Sequence, residues 1–117
     1  MDSITGYAAA KINLNLNVLP RRADGFHSIE SIFASVPLAD IITVSRIPHE
    51  KHTIHIDCTG LQLPAENTFT KAYHAFCTVT GCTEAFSITV QKHIPAGGGL
   101  GGGSSDAAFF IRAMDAL

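Results

Sequence analysis

The pattern of apolar and polar positions along this chain of 117 residues predicts several strands and two helices. Strict alternation over residues 11–18 predicts a half-buried strand, because successive side chains of a strand point to opposite faces. Its predicted apolar face consists of Ile12, Leu14, Leu16 and Val18. Shorter runs rich in β-branched residues predict further strands at 29–36, 40–47, 53–58 and 86–91.

Two segments have the periodicity of amphipathic helices. The first begins at an N-cap, Asn67, and ends at about Thr80, before the stop residue Gly81. The second begins at about Ser105 and continues to the last residue without a stop signal, so we expect a chain cut within a helix. Its predicted apolar face consists of Ala107, Phe110, Ile111, Met114 and Leu117. We expect the cut to leave part of this face exposed, at Phe110, Ile111 and Met114.

Composition narrows the class of protein. Hydrophobic residues make up 46% and charged residues 15% of the chain, as in ordinary globular domains. A net charge of −2 argues against a nucleic-acid-binding surface. The three cysteines form no C-x-x-C motif and indicate reduced thiols in a cytoplasmic protein. No signal peptide or membrane span is predicted in the first 20 residues, so we expect no membrane partner.

A glycine-rich stretch between the last predicted strand and helix is the strongest chemical signal. Its residues are Pro95, Ala96, Gly97, Gly98, Gly99, Leu100, Gly101, Gly102, Gly103, Ser104 and Ser105. Backbone N–H groups without side chains around them can enclose an anion, and a following helix adds the positive end of its dipole. We expect Ser104, Ser105 and Asp106 to cap and begin that helix. The stretch therefore predicts a nucleotide-phosphate loop that is neither of the Walker type nor a Rossmann unit.

Three other places carry polar residues that suit ligand contact. Lys11 and Asn13 share the polar face of the first strand with Asn15 and Asn17. Asparagine is a poor strand former, so this run suits ligand contact, although an ordinary solvated face explains Asn15 and Asn17 equally well. Phe26 and His27 follow a turn and suit stacking on a base, or else a packed hairpin tip. Lys92 ends the strand before the glycine loop, where it reaches a nucleotide or is simply exposed.

Three histidines recur at every third position and resemble a metal site. They are His49, His52 and His55. On a strand the middle one points away from the other two, so we interpret them as exposed histidines and predict no metal site from them.

Three segments, in this order, are together similar to one kinase family. They are residues 9–14, 22–27 and 95–108. They resemble the amino-terminal half of the 4-diphosphocytidyl-2-C-methyl-D-erythritol kinases. This family lies within the galactokinase, homoserine kinase, mevalonate kinase and phosphomevalonate kinase superfamily. The glycine loop alone indicates the superfamily, and the other two segments narrow it to this member.

The resemblance implies a fold and a reaction. The fold is α+β, a two-layer mixed sheet with helices on one face, like the second domain of ribosomal protein S5. The reaction is ATP-dependent phosphorylation of the 2-hydroxyl of 4-diphosphocytidyl-2-C-methyl-D-erythritol, in non-mevalonate isoprenoid (terpenoid) biosynthesis. The implied cofactors are ATP and Mg²⁺, and the implied partner is this small-molecule substrate.

The resemblance also implies roles for individual residues. The glycine loop wraps the ATP phosphates, and Lys11 matches the active-site lysine. Asn13 lies on the methylerythritol side, His27 hydrogen-bonds the cytosine, and Phe26 stands where the family often has a stacking tyrosine. The adenine-side wall is matched by Asn67 and Lys92. The family's catalytic aspartate is expected beyond Leu117, so we expect residues 1–117 alone to lack activity.

Two alternatives stay open. One is another small-molecule kinase of the superfamily, acting on homoserine or mevalonate. The other is a nucleotide-binding domain without catalysis, which the missing carboxylate favours for this chain. The segment 25–27 separates the first alternative from the resemblance, because it serves a cytidine ring that those substrates lack.

Overall fold

The structure is a computed structural model that describes residues 2–60, 62–95 and 99–117, with the backbone alone at 15–17 and 33. Its elements are β1 (Ser3–Arg21), β2 (His27–Lys51), β3 (Ile54–Thr59), α1 (Thr68–Thr80), β4 (Glu84–Gln91) and α2 (Gly102–Ala116). The strands form one sheet in the order β1-β2-β4-β3. Only β3 and β4 pair in parallel, and the other two pairs are antiparallel. The predicted α+β class with a mixed sheet is confirmed.

The core lies between the two helices and one face of the sheet. Its larger members are Ile42, Val44, Phe69, Tyr73, Phe86, Ile88, Val90, Phe110 and Met114. The sheet residues among them occupy alternate positions of β2 and β4 and therefore point to the same side. The ring centre of Phe110 lies 5.9 Å from that of Phe69 and 6.2 Å from that of Phe86, in edge-to-face contacts that join both helices to the sheet.

The first two strands are both longer than predicted. β2 continues through Pro37, where the sequence predicted a break between two strands. Ala9 pairs with Ala39 but Lys11 pairs with Ser35, so Pro37 falls within an irregularity of the ladder. A proline is tolerated there because a bulge leaves a backbone N–H position unpaired.

The alternation over residues 11–18 proved misleading. The register shifts between Asn13 and Asn15, so that Ile12 pairs with Ala34 whereas Val18 pairs with Ile29. A one-residue shift moves the later side chains to the other face, and Ile12 and Val18 therefore lie on opposite faces. Both are exposed, at 37% and 61%, because this part of the β1–β2 ribbon extends beyond the core. The strand is confirmed, and its burial is not.

The helix α1 confirms its prediction at both ends. The Asn67 side chain accepts hydrogen bonds from the N–H groups of Phe69 and Thr70, and the Thr70 hydroxyl oxygen accepts one from the backbone N–H of Asn67, which completes a capping box. Gly81 ends the helix in the left-handed conformation at φ 73°. No helix in the part of the chain that the structure describes is long and apolar enough to cross a membrane.

The helix α2 differs from its prediction in two respects. It begins at Gly102 with Gly101 as its N-cap, and no side chain caps it, so Ser104 and Ser105 lie within the first turn. Its buried face includes Asp106, Phe110, Ala113 and Met114, whereas Ile111 is 39% exposed. The expected exposure of Phe110 and Met114 is wrong, because this face packs on α1 and the sheet.

We predict that Phe110→Ala lowers the free energy of unfolding by about 3–5 kcal/mol, because it leaves a cavity where two rings and the sheet meet. Val79→Ala, on the exposed side of α1 at 85% exposure, is the control and should change stability by less than about 0.5 kcal/mol. Urea denaturation measures both. An equal effect of the two substitutions would contradict the assignment of Phe110 to the core.

Candidate functional site

The glycine-rich segment leads from the end of β4 into the first turn of α2. Gly99 and Gly101 adopt φ values of 72° and 70°, a left-handed conformation that favours glycine. The uncapped start of α2 leaves backbone N–H groups available there, at the positive end of the helix dipole. The predicted binding residues Ala96, Gly97 and Gly98 lie outside the described residues. The described part has the geometry of an anion site.

The loop is fastened to the outer edge of β1. The backbone N–H of Lys11 donates to the carbonyl of Leu100 at 2.9 Å. The Lys11 ammonium donates to the carbonyl of Gly99 at 3.1 Å and to Oδ1 of Asn13 at 2.8 Å. A Cβ on Gly101 would lie 2.9 Å from Cε of Lys11, so a larger residue there would force the Lys11 side chain to move. The structure thus brings the predicted residue Lys11 to the glycine loop, with the predicted residue Asn13 bound to its ammonium.

Clefts lie on both sides of the loop. On one side, a cleft of about 640 Å³ is lined by Lys11 together with Gly99, Gly101, Ser104 and Ser105. On the other side, a cleft of about 360 Å³ is lined by the loop, Lys92 and Asp106. The second cleft adjoins a third of about 550 Å³, which Asn67 lines, through the shared residues Cys58 and Leu63. The loop therefore separates a cleft on the lysine side from a cleft on the helix side.

Lys92 is neither exposed nor aimed freely at a ligand, and both sequence interpretations of it are incomplete. Its ammonium donates to Oδ2 of Asp40 at 2.7 Å and to Oδ2 of Asp106 at 3.1 Å. Oδ1 of Asp40 accepts the backbone N–H groups of His93 and Ile94, at 2.7 and 2.9 Å. Asp40 and Asp106 are almost fully buried. This cluster holds the chain where β4 passes into the loop.

Two carboxylates around one ammonium share its charge unequally. Burial, together with a hydrogen bond with Asp40, raises the pKa of Asp106 to about 7, because the nearby Lys92 ammonium offsets these two effects only in part. Burial also raises the pKa of Asp40, but hydrogen bonds from Asp106, Lys92 and two backbone N–H groups outweigh it, and the net pKa is lowered. Burial lowers the pKa of Lys92, but the two carboxylates bring it above its usual value. The proton that titrates near neutrality therefore belongs to Asp106.

Asn67 and the hairpin tip are placed apart from the loop contacts. The side chain of Asn67 caps α1, and its amide N–H donates to the carbonyl of Pro64 at 2.9 Å. Phe26 is 74% exposed at the tip of the β1–β2 ribbon. His27 bonds through Nδ1 to the carbonyl of Leu19 at 2.8 Å. Neither tip residue contacts the glycine loop among the described residues.

Sequence reasoning missed Asp40, and it expected Asp106 only to help cap and begin the helix. A signal for both was present. Asp40 precedes Ile42 and Val44 at a spacing of two, which places it on the buried face of β2. Asp106 precedes Phe110 and Ala113 at spacings of four and seven, which places it on the buried face of α2.

No group of three or more histidine, cysteine, aspartate or glutamate side chains is arranged to hold a metal ion in residues 2–60, 62–95 and 99–117. All three cysteines are free thiols.

We predict that the free energy of unfolding decreases as the pH rises from about 4 to 7. Asp106 ionises near 3.8 when exposed and near 7 when folded, so the folded state binds more protons in this window. The slope is at most about 1.4 kcal/mol per pH unit for one group. The lowered pKa of Asp40 and the raised pKa of Lys92 act outside the window, below 3.8 and above 10.5.

Urea denaturation at several pH values tests this expectation in Asp106→Asn, which should lose this component of the slope. Asp115→Asn, an exposed aspartate of the same helix, is the control and should retain it. A wild-type slope identical to that of Asp106→Asn would show that Asp106 does not titrate in this range.

In comparisons with known proteins, the sequence and the fold of this chain are similar to those of small-molecule kinases. Residues 67–117 match the family model of the GHMP kinases N terminal domain. The chain is 45% identical to the 4-diphosphocytidyl-2-C-methyl-D-erythritol kinase of Treponema pallidum, over all of this chain and 40% of that protein. A crystal structure of 4-(cytidine 5'-diphospho)-2C-methyl-D-erythritol kinase superposes with a TM-score of 0.76 at 37% identity, covering 97% of this chain and 40% of that one.

A homoserine kinase from Cytophaga hutchinsonii superposes with a TM-score of 0.71 at 19% identity, over 99% of this chain and 35% of that one, which shows a shared fold alone. The chain spans about 40% of the length of the curated relatives that it matches. Sequence and fold together confirm the resemblance: the chain is a relative of the amino-terminal part of the 4-diphosphocytidyl-2-C-methyl-D-erythritol kinases.

Proposed function

We propose that this chain supplies the nucleotide-phosphate loop and part of the acceptor site of a kinase that transfers a phosphoryl group from ATP to the 2-hydroxyl of 4-diphosphocytidyl-2-C-methyl-D-erythritol. One observation carries the proposal: Lys11 lies against the glycine loop that begins α2, and Oδ1 of Asn13 accepts a hydrogen bond from its ammonium. Phosphoryl transfer depends mainly on holding the two reactants in line and neutralising negative charge, and a cation beside an anion site suits both needs.

The nucleotide phosphates lie at the start of α2 in this proposal. Gly99 and Gly101 adopt the left-handed backbone conformation, and no side chain caps the first turn. The segment therefore presents backbone N–H groups without side chains in front of them. Ser104 and Ser105 add hydroxyl donors within that turn. Binding through the backbone requires no charged motif, which explains how a phosphate site forms without the lysine of a Walker loop.

The acceptor hydroxyl lies on the other side of the loop, in the cleft lined by Lys11. Oδ1 of the Asn13 side chain and the backbone carbonyl of Gly99 accept hydrogen bonds from the Lys11 ammonium and orient it. We expect the general base to come from outside residues 1–117. The two buried carboxylates, Asp40 and Asp106, bind Lys92 instead of Lys11. The part of the chain described here therefore positions the reactants and leaves proton removal to another segment.

The cytidine end of the substrate lies at the ribbon tip. A carbonyl only accepts hydrogen bonds, so the bond from His27 to the carbonyl of Leu19 places a proton on Nδ1. In the neutral ring, Nε2 is then an acceptor that suits the exocyclic amine of cytosine. Phe26 is exposed beside it for stacking. Residue 11 at the glycine loop and residue 21 near the ribbon tip are about 30 Å apart along the strand. The register shifts between them bend the ribbon, which shortens the direct distance from the loop to the tip.

The adenine-side roles of Lys92 and Asn67 remain proposals. Two of the three N–H donors of Lys92 are engaged by carboxylates, which leaves one for a base or phosphate. Mg²⁺ is expected to arrive bound to the ATP phosphates, because it keeps few protein ligands in such sites. The described residues present no acidic cluster for it, and nothing in the proposal depends on a protein-held metal.

We predict that Gly101→Val raises the Kd for an ATP analogue by about tenfold or more, which corresponds to 1.4 kcal/mol. The added side chain would meet Lys11 and the loop at the proposed phosphate site. Gly60→Val is the matched control, because Gly60 also has a positive φ, at 79°, but nothing lies within 4 Å of its position. Titration calorimetry on the whole protein measures both. Equal affinities in the two variants would contradict the loop assignment.

We predict that His27→Ala raises KM for the cytidine substrate by roughly 5- to 150-fold, as expected for the loss of a hydrogen bond of about 1–3 kcal/mol, with little change in KM for ATP. His49→Ala, an exposed histidine of β2, is the control. The wild type should also prefer the cytidine substrate to its uridine analogue, whose carbonyl cannot donate to Nε2. Equal effects on both substrates would remove His27 from the cytidine site.

A further inference from the structure

A buried group of two carboxylates and one ammonium lies next to the proposed phosphate site. Lys92 joins Asp40 and Asp106 at 2.7 and 3.1 Å. Oδ1 of Asp106 is buried and has no hydrogen-bond partner among the described residues. A buried acceptor without a donor is costly when its carboxylate is ionised, and the cost falls when the carboxyl is protonated.

This group lies directly beneath the helix start. A Cβ on Gly102, the first residue of α2, would lie 3.1 Å from Nζ of Lys92. Asp106 follows four residues later, about one turn along the same helix, and lines the same cleft as the loop. An anion bound at the first turn therefore lies close to both the Lys92 ammonium and the Asp106 carboxyl.

The charge of the cluster depends on one proton. With Lys92 charged and Asp40 ionised, the cluster is neutral when Asp106 is protonated and carries −1 when Asp106 is ionised. Among the described residues, Cys58 on β3 also faces it, and Lys11 on β1 lies beyond Gly101. The facing part of α1 is formed by Thr68 and Phe69, which do not titrate.

We propose, on the basis of the function proposed above, that Asp106 takes up a proton when nucleotide phosphate binds at the start of α2. Asp106 acts here as a positioning residue, through its contact with Lys92. A second negative charge disfavours an ionised carboxylate nearby, and protonation of Asp106 leaves the charge of Lys92 balanced by Asp40 alone. Because the pKa of Asp106 is already raised to about 7, both of its forms are populated near neutral pH.

The sign of the effect follows from linkage. Binding an anion raises the pKa of Asp106 further, so the nucleotide complex holds more protons than the free protein above about pH 7. Nucleotide affinity therefore decreases as the pH rises above 7, by up to about tenfold per pH unit for one proton. The Asn side chain cannot ionise, so Asp106→Asn should bind nucleotide with an affinity that lacks this dependence.

The test is titration calorimetry of the whole protein with a non-hydrolysable ATP analogue at pH 7.5, in buffers of different ionisation enthalpy. Wild type should take up a fraction of a proton more than Asp106→Asn, and comparing the two cancels the protons that the analogue itself exchanges. Between pH 7 and 9, wild-type affinity should fall relative to the variant. Asp115→Asn, on the exposed side of α2, should behave as wild type.

A second measurement needs no variant. NMR titration of the aspartate carboxyl carbons of the wild type should show one group with a midpoint near 7, which moves to higher pH when the analogue is bound. Equal proton uptake in wild type and Asp106→Asn, or the absence of such a group, would overturn the inference. Loss of analogue binding in every protein at every pH would instead overturn the proposed nucleotide site.

Discussion

The ion pairs that Lys92 makes with two buried carboxylates fix the geometry on which the candidate site depends. They connect three elements: Asp40 lies on β2, Lys92 follows β4, and Asp106 lies on α2. In the sheet order β1-β2-β4-β3, a chain that runs from β4 to the outer edge of β1 must cross β2. Asp40 lies at that crossing and accepts the backbone N–H groups of residues 93 and 94. Removing Lys92 from this buried group should cost about 3–5 kcal/mol, because the carboxylates would lose their counter-charge.

The glycines matter chiefly because they allow close approach. Gly6 lets the ring of Phe109 lie against β1, since a Cβ there would meet it at 2.5 Å. Gly102 leaves room for Ile94 and for the Lys92 ammonium beneath the helix start. These glycines thus let α2 pack closely on the sheet, and the absence of a side-chain cap leaves the first N–H groups of α2 uncovered. The proposed phosphate site depends on this combination, since an ordinary side-chain cap would occupy the position of the anion.

Much of the fold was predictable, and the errors have identifiable causes. The ends of α1 were predicted correctly because Asn67 and Gly81 act locally, through capping and a left-handed stop. The burial of the 11–18 strand was not, because this part of the ribbon extends beyond the core, and its register shift between Asn13 and Asn15 depends on the partner strand; neither feature leaves a local pattern. Asp40 was missed, and the burial of Asp106 was not expected, because periodicity was assessed for apolar residues alone and not for the polar residues at the same spacing. A buried aspartate on an apolar face predicts a buried cation, and Lys92 was available.

The proposed reactant sites come from opposite ends of the chain, and they meet at one short contact. Residues up to 27 supply the acceptor side, and residues from 92 onward supply the phosphate side. The backbone bond from Lys11 to Leu100 and the contact of its side chain with Gly101 join the two. A movement of the loop therefore changes the position of the Lys11 ammonium, and a ligand that orders Lys11 also orders the loop. Because both ligands would order the same hydrogen bonds, the second to bind loses less conformational entropy than the first, which favours cooperative binding of nucleotide and acceptor.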